Sequence, residues 1–338
     1  MLKVTMDYKQ TIINALDVLR KRDLADKQPF KARAYANVIG QLKRMDQPVQ
    51  SYDDLAAIQG MGDKIEKKIK EILETGSLRS AEKAKEMYHI DVLDQLQNIY
   101  GIGPAKATEL VQAGIRSIQQ LRDEVKQHPK MLNDKQKVGL KYYEELLERI
   151  PREEMMEHED VVKHYGSSLS MEIVGSYRRG ALNSGDIDVL IKVPTGTPAA
   201  TVKKQLADYV QSLLEAGYIE EILALGEHKC MAICRLDESG TARRLDLLMT
   251  PEEEYAYALL YFTGSDRFNV AFRQYALDKG YTLNEHVLTP TKVDIPVPPF
   301  MKSEKAIFAF LRLRYIDPDQ RVDGNQIIPL YRRPAIAI

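Results

Sequence analysis

From residue 6 to 150 the apolar positions recur at helical spacing, and the runs break at short Gly, Pro and Asp signals such as DKQPF, MDQP and GMGD. A string of helices is predicted there. From residue 171 the period changes: MEIVGS, DIDVLIKV, KCMAICRL and RRLDLLM are short β-rich runs bounded by turn residues, with a helix predicted at 200–216. An all-helical front therefore precedes an α+β rear, and the change falls near ERIPREEM, where Pro151 interrupts the helical pattern.

At 338 residues the chain is long enough for two or three cores. Its two cysteines, Cys230 and Cys234, lie at strand spacing and cannot make a disulfide framework, so a reducing, intracellular setting is expected. No stretch has the length and apolarity of a signal peptide core or a membrane span, which predicts a soluble protein with no membrane partner. Lys plus Arg is 48 against 49 for Asp plus Glu, but the charge is unevenly spread. Residues 1–86 carry 17 basic and 13 acidic side chains, residues 87–150 nine of each, and residues 151–338 carry 22 and 27. A basic front and an acidic rear suit a phosphate-binding module joined to a metal-binding one.

One repeat is visible. IQGMGDKIEKKIKEIL (58–73) and IYGIGPAKATELVQAG (99–114) each place an apolar-x-Gly-apolar-Gly pattern before a helix, with glycines at Gly60 and Gly62, then Gly101 and Gly103. This is the helix-hairpin-helix pattern, in which glycine lets the backbone approach a phosphate and the next helix offers free N–H groups. A single copy is usually a tight connector; two with matching flanks favour sequence-independent binding of a DNA backbone.

The chemistry concentrates in GSYRRGALNSGDIDVLI (175–191). Residues i and i+2 of a strand share a face, so Asp186 and Asp188 project together while Ile187 and Val189 enter a core. Such a pair repels itself unless a positive charge lies between. Ser176, Arg178 and Arg179 after Gly175 supply donors suited to a phosphate chain. Asp246 in RRLDLLM is a third acid in strand alternation. Three carboxylates on neighbouring strands suit two magnesium ions about 4 Å apart, as in an in-line phosphoryl displacement. An exposed edge strand would explain one Asp pair equally well, but not the acids and donors together.

These motifs, with YFTGSDRFN and YTLNEH, resemble the X family of DNA polymerases, nearest to its beta branch, over roughly residues 10–320. The resemblance implies a helical 5′-deoxyribose-phosphate lyase domain at 1–86, a helical DNA-binding subdomain at 87–150, a nucleotidyltransferase palm at 151–250, and at 251–338 a small α/β subdomain for the nascent base pair with a tail. It implies gap-filling synthesis in base excision repair, Mg²⁺ (or Mn²⁺) at two sites, and Na⁺ or K⁺ at the hairpins. Partners would be gapped or nicked DNA and dNTPs, for a monomer in the nucleus or cytoplasm.

Carried onto this chain, the resemblance makes Asp186 and Asp188 the bridging metal ligands. Asp246 becomes the acid at the catalytic metal that helps deprotonate the primer 3′-hydroxyl. Arg149, Ser176, Arg179, Ser184 and Gly185 correspond to triphosphate contacts, and Tyr261, Phe262 and Gly264 to the segment against the sugar. Asp266 and Asn269 fall in the nucleotide site, and Asn269 and Arg273, four apart, share a helix face toward the minor groove. Lys229, Arg244, Arg273 and Glu285 fall among the DNA contacts with Gly60, Gly62, Lys64, Gly101 and Gly103. Lys68 takes the place of the Schiff-base nucleophile, its amine activated by neighbouring positive charge.

Several positions depart from the animal pattern. Lys67 stands where an acid precedes the nucleophile, Gln28 and Ser80 replace two basic phosphate contacts, and Phe30–Tyr35 resembles bacterial members, with Lys31 and Arg33 as substitutes. Leu248 replaces an arginine that pairs with the metal acids in the family's open state. The tail after about 316 runs past the animal enzyme's end. RLDESGTAR is short where template-independent members carry an insertion. A template-independent nucleotidyltransferase and a non-catalytic DNA-binding protein are the alternatives; retention of three like charges in one core argues against the second.

Overall fold

The computed structural model describes residues 6–330. The chain divides into two compact units, Met1–Tyr143 and Glu144–Ile338. Among the described residues, no helix is long and apolar enough to cross a membrane.

The described residues of the first unit form helices and no strand. Helices α1 (Lys9–Ala25), α2 (Pro29–Arg44), α3 (Asp63–Thr75) and α4 (Arg79–Met87) enclose one core built from Ile12, Leu16, Leu19, Val38, Leu42, Ile69 and Ile72. Helices α5 (Ile90–Gln97), α6 (Pro104–Gln112), α7 (Ile118–Gln127) and α8 (Asp134–Lys141) enclose a second around Leu93, Leu96, Leu110 and Leu121. Both cores follow from apolar stripes at i, i+3 and i+4 spacing. Each hairpin turns on a glycine in the left-handed region, Gly60 at φ +75° and Gly101 at φ +84°, a conformation that side chains rarely adopt. Gly62 and Gly103 stand at the N-caps of α3 and α6, and among the described residues neither start carries a side-chain capping hydrogen bond.

Short helix α9 (Tyr143–Leu147) leads to the second unit. Its frame is a five-stranded mixed sheet of β2 (Ser170–Ile173), β4 (Ile187–Val193), β7 (Arg243–Pro251), β6 (Lys229–Cys234) and β5 (Ile219–Leu225), in that spatial order. Only β4 and β7 run parallel. Strands β1 (Ile150–Pro151) and β3 (Asn183–Ser184) form a short ladder beside it, and the helices of this half are α10 (Arg152–Tyr165), α11 (Gly175–Arg178) and α12 (Ala199–Glu215).

Alternation along the strands decides which face does what. Ile187, Val189 and Ile191 of β4, Leu245, Leu247 and Met249 of β7, and Cys230, Ala232 and Cys234 of β6 enter one core with residues of α10 and α12. The two cysteines thus share the core face as free thiols. The opposite face carries Asp188, Leu190, Asp246 and Leu248. There Leu190 and Leu248 lie in an apolar cluster with Val174, Ala258 and Phe262, roofed by α13 (Glu252–Thr263).

The remainder, α13, α14 (Asp266–Asp278), the hairpin β8 (Tyr281–Leu283) to β9 (Leu288–Pro290), and α15 (Glu304–Phe310), closes around Phe268, Phe272 and Phe308. Residues 318–330 are ordered turns: the short helical segments Pro318–Gln320 and Gly324–Gln326, then a bridge between Leu313 and Pro329.

Candidate active site

The parallel pairing of β4 with β7 sets Asp188 directly beside Asp246. Asp186 stands just before β4 and is bound by the Arg244 guanidinium, while Lys229 reaches Asp246 at 2.9 Å from β6. Among the described residues, no basic side chain pairs with Asp188. Burial, then the charges of Asp186 and Asp246, push its carboxyl up to about 7, against the weaker opposing pull of Arg244 and Lys229. Asp246 Oδ1 is buried without a hydrogen-bond partner among the described residues. Each outer acid is turned onto a basic side chain, and no three acidic, histidine or cysteine side chains are gathered closely enough to hold a metal ion among the described residues.

Gly175 explains how the backbone passes so near. It has φ +65°, and a Cβ there would lie 3.2 Å from Asp188 Oδ2. The next residues turn through α11, where Ser176 Oγ donates to Ser184 Oγ at 3.0 Å. Arg179 donates to the Thr263 carbonyl at 2.5 Å; burial holds its pKa below the ordinary value and Asp266 opposes this. Arg149 holds Asn183 through its side chain at 2.8 Å and its carbonyl at 3.1 Å, close over Gly185. Arg178 departs from the sequence reading. It is committed to Glu172 at 2.6 Å, Thr263 at 2.7 Å and Glu304 at 2.9 Å, so it leaves the donor set.

A cavity of about 450 Å³ gathers most of the predicted nucleotide site: Gly175, Arg179, Asp188, Tyr261, Phe262, Gly264, Asp266, Asn269, Val270 and Arg273 line it. Tyr261 and Phe262 meet edge to face at 5.1 Å, and Asn269 Nδ2 donates to the Tyr261 carbonyl at 2.7 Å. Ser265 caps α14 by accepting from the Phe268 N–H at 3.2 Å. Ser176, Ser184, Gly185 and Arg149 do not line this cavity. Glu285 lines a neighbouring one of about 440 Å³ with His228, Leu248, Phe262 and His286. Leu248 thus faces apolar neighbours and offers the acids no charge.

In the first unit, Lys68 on α3 donates to the Lys64 carbonyl at 3.1 Å. Burial, then the charges of Arg22 and Lys64, hold its amine below the ordinary lysine range, while Asp23 pulls it back up. Sequence reasoning missed Arg22, Asp23 and Tyr35. Arg22 binds Asp23 at 2.5 Å, Asp23 is 3 % exposed, and its Oδ2 has no partner among the described residues. Tyr35 feels both groups, and burial is the main reason its hydroxyl is raised. The signal was present: Asp23 falls at the next position of the stripe Ile12, Leu16, Leu19, an acid where an apolar residue is expected. Lys67 is exposed and Lys64 likewise, beside the Gly60–Gly62 turn.

Family models match in succession along the chain: a helix-hairpin-helix domain over 7–78, the fingers domain of DNA polymerase lambda over 94–147, the DNA polymerase beta palm over 149–252 and the DNA polymerase beta thumb over 258–322. DNA polymerase lambda of Rattus norvegicus is 34% identical over 93% of this chain and 56% of its own length. DNA polymerase lambda of Arabidopsis thaliana is 28% identical over 85% and 57%, and DNA polymerase type-X family protein pol4 of Schizosaccharomyces pombe 28% over 93% and 65%. The chain therefore spans less than two thirds of these relatives. All-helical hairpin modules followed by a palm and thumb, with paired strand acids beside one lined cavity, agree on one lineage: the chain belongs to the X family of DNA polymerases.

Proposed function

We propose that this chain is a template-directed polymerase that fills short gaps in double-stranded DNA, adding deoxynucleotides to a primer 3′-hydroxyl. We further propose that Lys68 of its front unit removes a 5′-deoxyribose phosphate through a Schiff base. The polymerase reading rests on one observation: Asp188, Arg179, the Tyr261–Gly264 segment and the Asn269–Arg273 helix face share a cavity, with Asp246 in register beside Asp188.

The acids fit a divalent cation. Asp246 Oδ1 lacks a partner and Asp188 is strained by like charge, and a cation relieves both once Asp186 and Asp246 exchange Arg244 and Lys229 for it. Two magnesium ions, or manganese in their place, would be held by Asp186, Asp188 and Asp246 and would supply charge to the triphosphate and acidity to the primer hydroxyl.

The side chains perform the remaining work. The Asp246 carboxylate helps take the 3′-hydroxyl proton as the oxygen attacks the α-phosphorus, and pyrophosphate leaves. Arg149 and Arg179 neutralise charge on the departing phosphates, and Ser176, Ser184 and the Gly185 N–H donate hydrogen bonds to them. Tyr261, Phe262 and Gly264 press on the sugar and disfavour a 2′-hydroxyl, while Asn269 and Arg273 read the minor-groove edge. The uncapped starts of α3 and α6, with Lys64, bind DNA backbone phosphates and are candidate sodium or potassium sites. The short loop between β6 and β7, residues 235–242, favours templated synthesis.

The test is incorporation on a one-nucleotide gap. Asp246→Ala loses incorporation while gapped-DNA binding persists; retained incorporation refutes the assignment. Extension of single-stranded DNA without a template favours the template-independent reading instead.

A further inference from the structure

The thumb match ends at residue 322, yet residues 322–330 go on to pack against the helix that faces the nucleotide cavity. Ser265, which caps α14, donates its hydroxyl to the Val322 carbonyl at 2.6 Å. The turn that follows is closed by Gln326, whose side-chain oxygen accepts from the N–H groups of Val322 at 3.1 Å and Asp323 at 2.6 Å. Gly324 lies against α14 so tightly that a Cβ there would stand 3.0 Å from Ala271 Cβ. Beyond it, Arg314 N–H donates to Ile328 and Leu330 N–H to Arg312, at 2.9 and 2.8 Å, and Ile327 packs on the cluster of Phe268 and Phe272.

The direction of this contact matters. Ala271 is two residues from Asn269, about 200° around the helix, so the segment presses on the back of α14 while Asn269 and Arg273 face the cavity. A helix held at its cap and from behind presents its front with less freedom, and a small displacement of a positioning group costs rate and selectivity.

We propose that residues 322–330 are a positioning brace for α14, fixing Asn269 and Arg273 against the incoming nucleotide and its template base. The brace touches no substrate and acts through Ser265 and Ala271. It rests on the polymerase reading, so its test has one readout that does not.

Three full-length variants or truncations serve: Gln326→Ala, Gly324→Val and a chain ending at Val322. Hydrogen exchange of residues 266–273 in the DNA-free protein reports the brace by itself, with β4 and β7 as the internal reference. Single-nucleotide gap filling then gives KM and kcat for correct and mispaired dNTPs. The expected result is faster exchange confined to α14 and, in Gln326→Ala, a KM for the correct dNTP raised about fivefold, the worth of roughly one neutral hydrogen bond, with kcat and gapped-DNA affinity little changed. Discrimination against mispairs falls with it, and Gln326→Glu, which retains the acceptor, restores all three. Unchanged exchange overturns the brace, and faster exchange with unchanged KM and selectivity overturns its role in positioning. If the parent incorporates nothing, the polymerase reading fails, and the exchange readout alone decides whether α14 is braced.

Discussion

Asp188 offers the sharpest quantitative test. In the metal-free protein its carboxyl is pushed from 3.8 up to about 7, chiefly by burial and then by two neighbouring acids. At about 1.4 kcal/mol per unit, roughly three units correspond to ~4 kcal/mol between protonated and ionised forms. The sign follows from linkage: the folded state holds this proton more tightly than the unfolded state. Stability is therefore undiminished below pH 3.8, falls as the pH rises through 7, and stays low above it. Asp188→Asn keeps the shape and removes the charge. In EDTA the variant should match its parent near pH 4 and exceed it by up to ~4 kcal/mol at pH 8. Urea titration of both proteins, followed by tyrosine fluorescence because the chain has 18 tyrosines and no tryptophan, gives the difference at each pH. Titrating groups that are not coupled to Asp188 cancel in that difference. A gap between variant and parent that is the same at pH 5 and pH 8 refutes the electrostatic account. Excess Mg²⁺ should stabilise the parent and leave the variant nearly unmoved.

Four further outcomes are expected. His158, buried against Tyr218 and lowered to about 4 by desolvation, contributes stability present above pH 6.5 and lost as the pH falls toward 4, ~3 kcal/mol in all; His158→Gln should flatten that limb in urea titrations. Lys68→Ala should abolish the borohydride-trapped adduct with DNA bearing a 5′-deoxyribose phosphate, and a persisting adduct would move the nucleophile elsewhere. Arg22→Met removes a charge that holds the Lys68 amine down, so the pH profile of adduct formation should shift to higher pH. Gly175→Ala places a methyl 3.2 Å from Asp188 Oδ2 in a left-handed backbone position, and calorimetry should show a loss of at least ~1 kcal/mol together with weaker Mn²⁺ binding.

The sequence made legible what is local and periodic. Alternation placed Asp188 and Asp246 opposite their core-facing neighbours, and the repeated Gly-apolar-Gly pattern located both hairpins, because each depends on residues a few positions apart. What stayed hidden depends on partners far along the chain. Arg178 and Arg179 look equivalent in sequence, yet only the arrival of Glu304 and Glu172 commits the first of them to an ion-pair network. Arg243 and Arg244 divide in the same way: the first is buried on Glu154, the second is turned to Asp186. Asp23 was visible as an irregularity in an apolar stripe, but its closeness to Lys68 arises only when α1 packs on α3. The tail was opaque because its partners, Ser265 and Ala271, lie about fifty residues upstream.

The pairing of Arg244 with Asp186 and of Lys229 with Asp246 has a thermodynamic consequence. Under the proposed function both basic side chains also serve the DNA, and a cation committed to a carboxylate is withheld from a phosphate. Occupation of the acids by a divalent ion would release two positive charges to the nucleic acid, and phosphate capture of those charges would in turn open the acids. Ion and primer are then positively cooperative, and the factor by which either tightens the other must be the same in both directions.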